Sequence, residues 1–172
     1  VFDVTANIPG VKVTLKSIEL LNVGTTAAYT NEAWGEVSVP NTSGYVVFPA
    51  SKTAGAPADE TAAVLETGEG KTTNVVTTPV VMIPQTLVAS VKDANGTITT
   101  PGQQFKVVYD IEGTGVAKET VTKTFDLKAN TLTAWDVNKK VTYKLTVGLT
   151  EITFEPTVNG WEDVDAGNVN IN

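Results

Sequence analysis

Any catalytic chemistry on this chain would have to come from carboxylates, because the other usual groups are missing. The 172 residues contain no His and no Cys, and all twelve basic residues are Lys, so there is no Arg. Without Cys there is no thiolate nucleophile, no disulfide framework and no Cys-based zinc site. Without His the usual general base near neutral pH and the commonest transition-metal ligand are absent. Without Arg there is no bidentate clamp for phosphate or carboxylate. What remains are carboxylate pairs of the kind that act on glycosidic bonds. Asp110 and Glu112 fall on one side of a strand, and Glu151 and Glu155 do so approximately. Solvent-facing charge is the plainer reading of both pairs, and the chain reads as non-enzymatic.

Two binding chemistries can be weighed next. The acidic run Glu162-Asp163-Val164-Asp165-Ala166-Gly167-Asn168 suggests calcium. It fails the EF-hand pattern, which needs Asp or Asn where Gly167 stands, Gly where Asn168 stands, and a later Glu. A solvated loop is the better reading, and neither a metal nor a cofactor is expected. Trp34, Trp135 and Trp161 could each stack on a sugar ring, although packing in the core or at strand ends is the plainer role. A net charge of −7 and a pI near 4.5 repel nucleic acid and anionic lipid. No stretch approaches the roughly 20 apolar residues of a membrane-spanning helix. The chain opens Val1-Phe2-Asp3-Val4 rather than on Met, which reads as a processed or trimmed product with any export signal or anchor upstream.

The elements that would position these groups are strands. Val11, Val13 and Leu15 alternate with polar residues, and the phase then slips at Ser17 before Ile18 and Leu20, which predicts a β-bulge. Phe105, Val107, Tyr109 and Ile111 form a second period-2 stripe. Val121, Phe125 and Leu127 share a face, and Val141, Tyr143, Leu145, Val147 and Leu149 give the cleanest alternation. Tyr45–Phe48 and Val80–Ile83 are continuous apolar runs, as expected of strands buried on both faces. Pro9-Gly10, Asn95-Gly96, Pro101-Gly102 and Asn159-Gly160 supply turns, with Asn95-Gly96 closing a tight hairpin. Residues 51–74 are rich in Ala, Thr, Gly, Glu and Pro and predict a long mobile loop, with a short helical turn near 60–65. No convincing helical stripe appears. The expectation is an all-β, Greek-key sandwich forming one domain over residues 1–172.

Trp135-Asp136-Val137-Asn138-Lys139-Lys140, the Tyr143 strand, Ile152-Thr153-Phe154 and Trp161 form a longer pattern. It resembles the C-terminal signature of the Bacteroidetes fimbrillin family, the type V pilins and fimbrillin-like proteins. There a Trp, an Asn-Lys turn, a Tyr-containing strand, an Ile-x-Phe strand and a closing Trp follow one another. Val81-Met82-Ile83-Pro84-Gln85 is similar to the family's hydrophobic-Ile-Pro-Gln segment, and Leu15-Lys16-Ser17-Ile18 with Tyr29–Trp34 to an earlier one. The resemblance covers most of the chain outside residues 51–74. It implies a transthyretin-like sandwich that is either the family's C-terminal domain alone or a short family variant, since the family's N-terminal β-domain and lipobox Cys are not present here.

The resemblance also implies a structural role on a surface fimbrium, with a precursor that is an outer-membrane lipoprotein. Subunits of such pili join by β-strand exchange, so the partners would be other copies of this chain or related pilins, and a host glycan or protein if the unit is adhesive. Residues 162–172, with Val164, Val169 and Ile171, are a candidate exchangeable strand, and pairing within their own domain is the competing reading. Val1, Phe2 and Val4 form a first strand that could be exchangeable, although an ordinary core strand is the plainer reading. Family members are matured by cleavage after Arg, which an Arg-free product would resist, although simple Lys bias explains the same fact. Two other readings stand beside the pilin. One is an adhesin or carbohydrate-binding sandwich that does not polymerise. The other is a Gram-positive-type pilin domain locked by a Lys–Asn bond, for which Leu65-Glu66-Thr67 is too short an echo.

Overall fold

The computed structural model describes residues 1–6, 8, 10–38, 44–48, 63–65, 73–74, 80–113, 116–148 and 152–160. Among them there are strands and turns but no helix. In chain order the strands are β1 (Phe2–Ala6), β2 (Val11–Leu21), β3 (Tyr29–Thr30), β4 (Ala33–Trp34) and β5 (Tyr45–Phe48). Next come β6 (Ala63–Leu65), β7 (Thr73–Asn74), β8 (Gln85–Thr86), β9 (Val91–Lys92) and β10 (Ile98–Thr100). The last five are β11 (Gln104–Gly113), β12 (Val116–Asp126), β13 (Ala134–Trp135), β14 (Lys139–Val147) and β15 (Ile152–Gly160).

Two sheets carry the core. One has the order β15-β14-β1-β7, and the other β12-β11-β2-β5, with β6 also paired to β2. The chain passes from one sheet to the other and back, so each is assembled from distant segments. Alternation decides which side chains meet. Phe2, Val4 and Ala6 on β1, with Tyr143, Leu145 and Val147 on β14, are buried from one side. Val13, Leu15, Ile18 and Leu20 on β2, with Phe105, Val107 and Tyr109 on β11, are buried from the other. All belong to one hydrophobic cluster. The β-sandwich expected from the alternating stripes is the observed architecture.

The predicted bulge is present. Val108 pairs with Ser17 and Tyr109 with Leu15, so Lys16 is the extra residue of β2. A one-residue insertion restores the inward phase for Ile18 and Leu20 and aims Lys16 across the outer face. There its Nζ lies 3.5 Å from a carboxylate oxygen of Asp110, while Lys118 Nζ lies 2.8 Å from the same oxygen. Thr120 donates its hydroxyl to the other oxygen at 2.7 Å. Asp110 is therefore an ion anchored by Lys16, Lys118 and Thr120. Glu112 is exposed and lies 3.9 Å from Lys12, and Glu155 is exposed on β15.

Burial pushes the Asp110 carboxyl upward, but the bonds from Lys118 and Thr120 and the charges of Lys16 and Lys118 outweigh it and hold the group below the usual range. The folded protein thus releases this proton more readily than the unfolded chain does. The resulting stability is complete above the ordinary Asp range near about pH 4 and is lost as pH falls through the lowered folded value. Asp110→Asn should lower the melting temperature at pH 7 and flatten its decline below about pH 4, as followed by circular dichroism across a pH series.

Several local expectations are corrected. Residues 63–65 form a strand rather than part of a helical turn, because Leu65 pairs with Val13 and is almost completely buried. Residues 73–74 also form a strand, and the remainder of the 51–74 segment lies outside the described residues. Tyr45–Phe48 is an edge strand on which Val47 alone is fully buried. Val80–Ile83 is not a strand, and Val81 is 85% exposed while Val80 and Met82 pack against the core. Apolar runs cannot distinguish these cases, because they carry no periodicity to say which face is covered. Asn159-Gly160 is the end of β15, paired with Lys140 and Lys139, rather than a turn. The Asn95-Gly96 hairpin is observed, with Gly96 at φ +81° and Asp93 bonded to the backbone of Thr97 and Gly96.

Candidate assembly site

The slot occupied by β1 is the feature most suited to assembly. β1 lies in the sheet interior, parallel to β14 on one side and antiparallel to β7 on the other. Its register pairs Phe2 with Tyr143, Val4 with Leu145 and Ala6 with Val147. The ladder continues at Val1, whose ammonium donates to Val141 O and whose carbonyl accepts from Tyr143 N, each at 3.0 Å. β14 and β7 come from later in the chain, so both walls of the slot are built without β1. The strand presents Phe2, Val4 and Ala6 to the core, followed by buried Ile8 and a turn in which Val11 N bonds Ile8 O. Gly10 completes that turn at φ +75°. Alternate apolar side chains entering pockets, with main-chain bonds along the edge, are the features of β-augmentation.

An aromatic cluster fixes one end of the slot. Trp135 Nε1 donates to the Tyr143 hydroxyl at 3.0 Å, and both residues are buried. The Tyr143 ring stacks on Phe2 at 5.2 Å between centroids, and Phe2 meets Phe105 edge-on at 5.9 Å. Phe105 in turn stacks on Phe125 at 5.3 Å. The line of rings joins β1 and β14 of one core sheet, with Trp135 of β13 bonded to them, to β11 and β12 of the other. Burial pushes the Tyr143 hydroxyl well above its usual range, so it stays neutral and accepts from Trp135 at all ordinary pH. Tyr143→Phe should cost about 1–3 kcal/mol by orphaning the indole N–H. Adding Trp135→Phe should cost less than the two single losses together, as measured by urea unfolding.

Beside these rings opens a cavity of about 90 Å³, between Leu20 and Val47 of one sheet and Val141 and Tyr143 of the other. Met82 lines it, and Asp136 and Lys139 stand at its rim. Trp135 also lines it, and in the turn between β13 and β14 Asn138 is in the left-handed region at φ +57°. An Asn tolerates that conformation at low cost, which explains its place before the strand.

The sequence-derived residues thus divide into three groups. Phe2, Trp135 and Tyr143 are brought into direct contact or adjacency, Val1 and Val4 sit in the same strand ladder, and Asn138 forms the turn. Ile152 is buried opposite Val147, and Phe154 pairs with Leu145 through the backbone, so both serve the β15 edge. Trp161, Val164, Val169 and Ile171 lie outside the described residues. Trp34 packs at a strand end rather than in the core: it is 42% exposed and meets Tyr29.

Gln85 is a residue whose role the sequence left unstated. Its Oε1 accepts from Gly24 N at 2.9 Å, and its Nε2 donates to Gly24 O at 3.1 Å and to Ile83 O at 3.1 Å. The side-chain amide stands in for a strand partner. A Cβ on Gly24 would run into Val37 Cγ1, so this backbone approach requires glycine. Gln85→Ala should cost about 1–3 kcal/mol through the orphaned Gly24 groups, read from the urea midpoint. Among the described residues no three acidic, His or Cys side chains are placed to hold a metal ion.

With this geometry in place, one comparison is informative. The fold is similar to that of a fimbrial protein. The crystal structure of a fimbrial protein from Bacteroides vulgatus ATCC 8482 superposes with a TM-score of 0.50 at 19% identity, covering 94% of this chain and 53% of that one. This chain therefore spans about half the length of that protein. No family model and no curated protein matches the sequence.

Proposed function

We propose that this chain is a structural subunit of a bacterial surface fimbria and that it assembles by β-strand exchange at the β1 slot. The observation that carries this reading is an interior strand, β1, whose walls are formed entirely by later segments and whose Phe2, Val4 and Ala6 fill core pockets. The likeness in fold to a fimbrial protein supports it, as does the Trp135–Trp161 pattern. On this reading residues 1–172 act as one sandwich domain, its partners are copies of itself or related pilins, and it resides on the cell surface after export as a lipoprotein precursor. A neighbour's strand replacing β1 would contribute about 1.5–3 kcal/mol for each large apolar side chain it buries. Such a join dissociates slowly without any covalent bond. Electron microscopy of the native material tests the role: filaments of regular width are expected, and a uniformly monomeric particle would contradict it.

A further inference from the structure

Between β2 and β5, residues Thr25 to Ser38 are largely exposed. Thr25 to Ser38 form a hairpin held by Thr25 N to Ser38 O, Ser38 N to Thr26 O and Gly35 N to Ala28 O, at 3.3, 2.8 and 2.7 Å. Apart from Ala27 and Val37, which are half-buried, every residue from Thr25 to Ser38 is exposed. Its tip turns through Asn31 and Glu32, both left-handed at φ +52° and +61°. A two-residue turn with both centres left-handed suits the twist of a hairpin, but Glu is an unfavourable occupant where Gly is usual. Keeping a carboxylate there at a conformational cost points to a use for it.

Beside that turn, Tyr29 pairs with Trp34 across the strands, with ring centroids 5.0 Å apart and planes tilted by 58°. The rings remain 58% and 42% exposed. The pair braces the hairpin, whose tip residues Tyr29 to Trp34 are all exposed, while Val37 near its base is half-buried beside Gly24. Its base is clamped by Gln85 on Gly24. The result is an arm that presents two aromatic rings to solvent, next to a turn in which Asn31 and Glu32 are also exposed. The charges between Thr25 and Ser38 are Glu32 and Glu36, with no Lys.

We infer that the Tyr29/Trp34 tip is a binding site for a neutral carbohydrate. Aromatic faces cover the C–H face of a pyranose, and carboxylate and amide groups exchange hydrogen bonds with its hydroxyls. Two carboxylates without a cation, on a chain of net charge −7, repel uronic, sialylated and sulfated sugars. A protein partner is a poorer match. A stable protein interface needs about 800 Å² per partner, and this narrow arm offers two rings in a polar setting. The site lies apart from the β1 slot and does not depend on strand exchange.

The test uses the whole chain against an array of neutral glycans, acidic glycans and a hexalysine peptide, followed by titration of Trp fluorescence with the strongest neutral binder. Binding to one or more neutral glycans is expected, with none to polygalacturonate. Trp34→Ala should weaken it by at least about tenfold, and Trp34→Phe should restore most of it. Amide exchange at Gly35 and Ser38 reports whether each variant keeps the hairpin. Binding unchanged in Trp34→Ala, no binding to any neutral glycan, or preference for hexalysine would each overturn the inference.

Discussion

Removing residues 1–8 should destroy the native monomer, and adding back a peptide of the same sequence, Val-Phe-Asp-Val-Thr-Ala-Asn-Ile, should restore it. Phe2, Val4 and Ile8 are each at least 95% buried. Their burial is worth about 1.5–3 kcal/mol apiece, against a total stability of about 5–15 kcal/mol for a domain. The five register pairs between β1 and β14 add main-chain bonds that water would have to replace. Near-ultraviolet circular dichroism and sedimentation of the shortened chain, with and without the peptide, make the measurement. A shortened chain that stays monomeric with an unchanged melting temperature would show that the slot is not a pocket system at all.

Phe105→Ala should be among the most damaging single truncations, at about 3–5 kcal/mol. Phe105 is fully buried and contacts Phe2, Tyr143 and Phe125, which lie on three other strands of both sheets. Its loss leaves a cavity that cannot close without moving the sheets together. Phe125→Ala should cost less, because that ring is only half-buried on the β12 edge. Urea unfolding of the two variants gives the comparison, and equal costs would mean that the ring line does not couple the sheets.

The sandwich was legible because alternation is a direct record of which face is covered. The stripes through Phe105 and Val141, the slip at Ser17 and the Asn95-Gly96 turn all appear where the pattern places them. The strand at Ala63–Leu65 was not legible, since the two large apolar residues Val64 and Leu65 are adjacent and give no period. Val80–Ile83 misled for the opposite reason: Val80 and Met82 pack inward but the segment has no ladder partner among the described residues, and Val81 is left in water. At the site, Trp135, Tyr143 and Asn138 could be picked out as a spaced group, but their meaning could not. Only the register shows Tyr143 beside Phe2, 141 residues away in sequence, because nothing local specifies a parallel partner. The exposure of Trp34 was likewise hidden, because packing in the core or at a strand end is the plainer reading of a Trp beside a short turn.

Strand exchange at the β1 slot is the central claim, and the shortened chain lacking residues 1–8 tests it most directly by electron microscopy. With residues 162–172 retained, it should form filaments as each copy accepts a strand from the next. With residues 162–172 also removed, filaments should be absent while the added peptide of residues 1–8 still restores the folded monomer. Equal filament formation by both chains would contradict C-terminal donation, and discrete monomers of the shortened chain without peptide would contradict exchange at this slot.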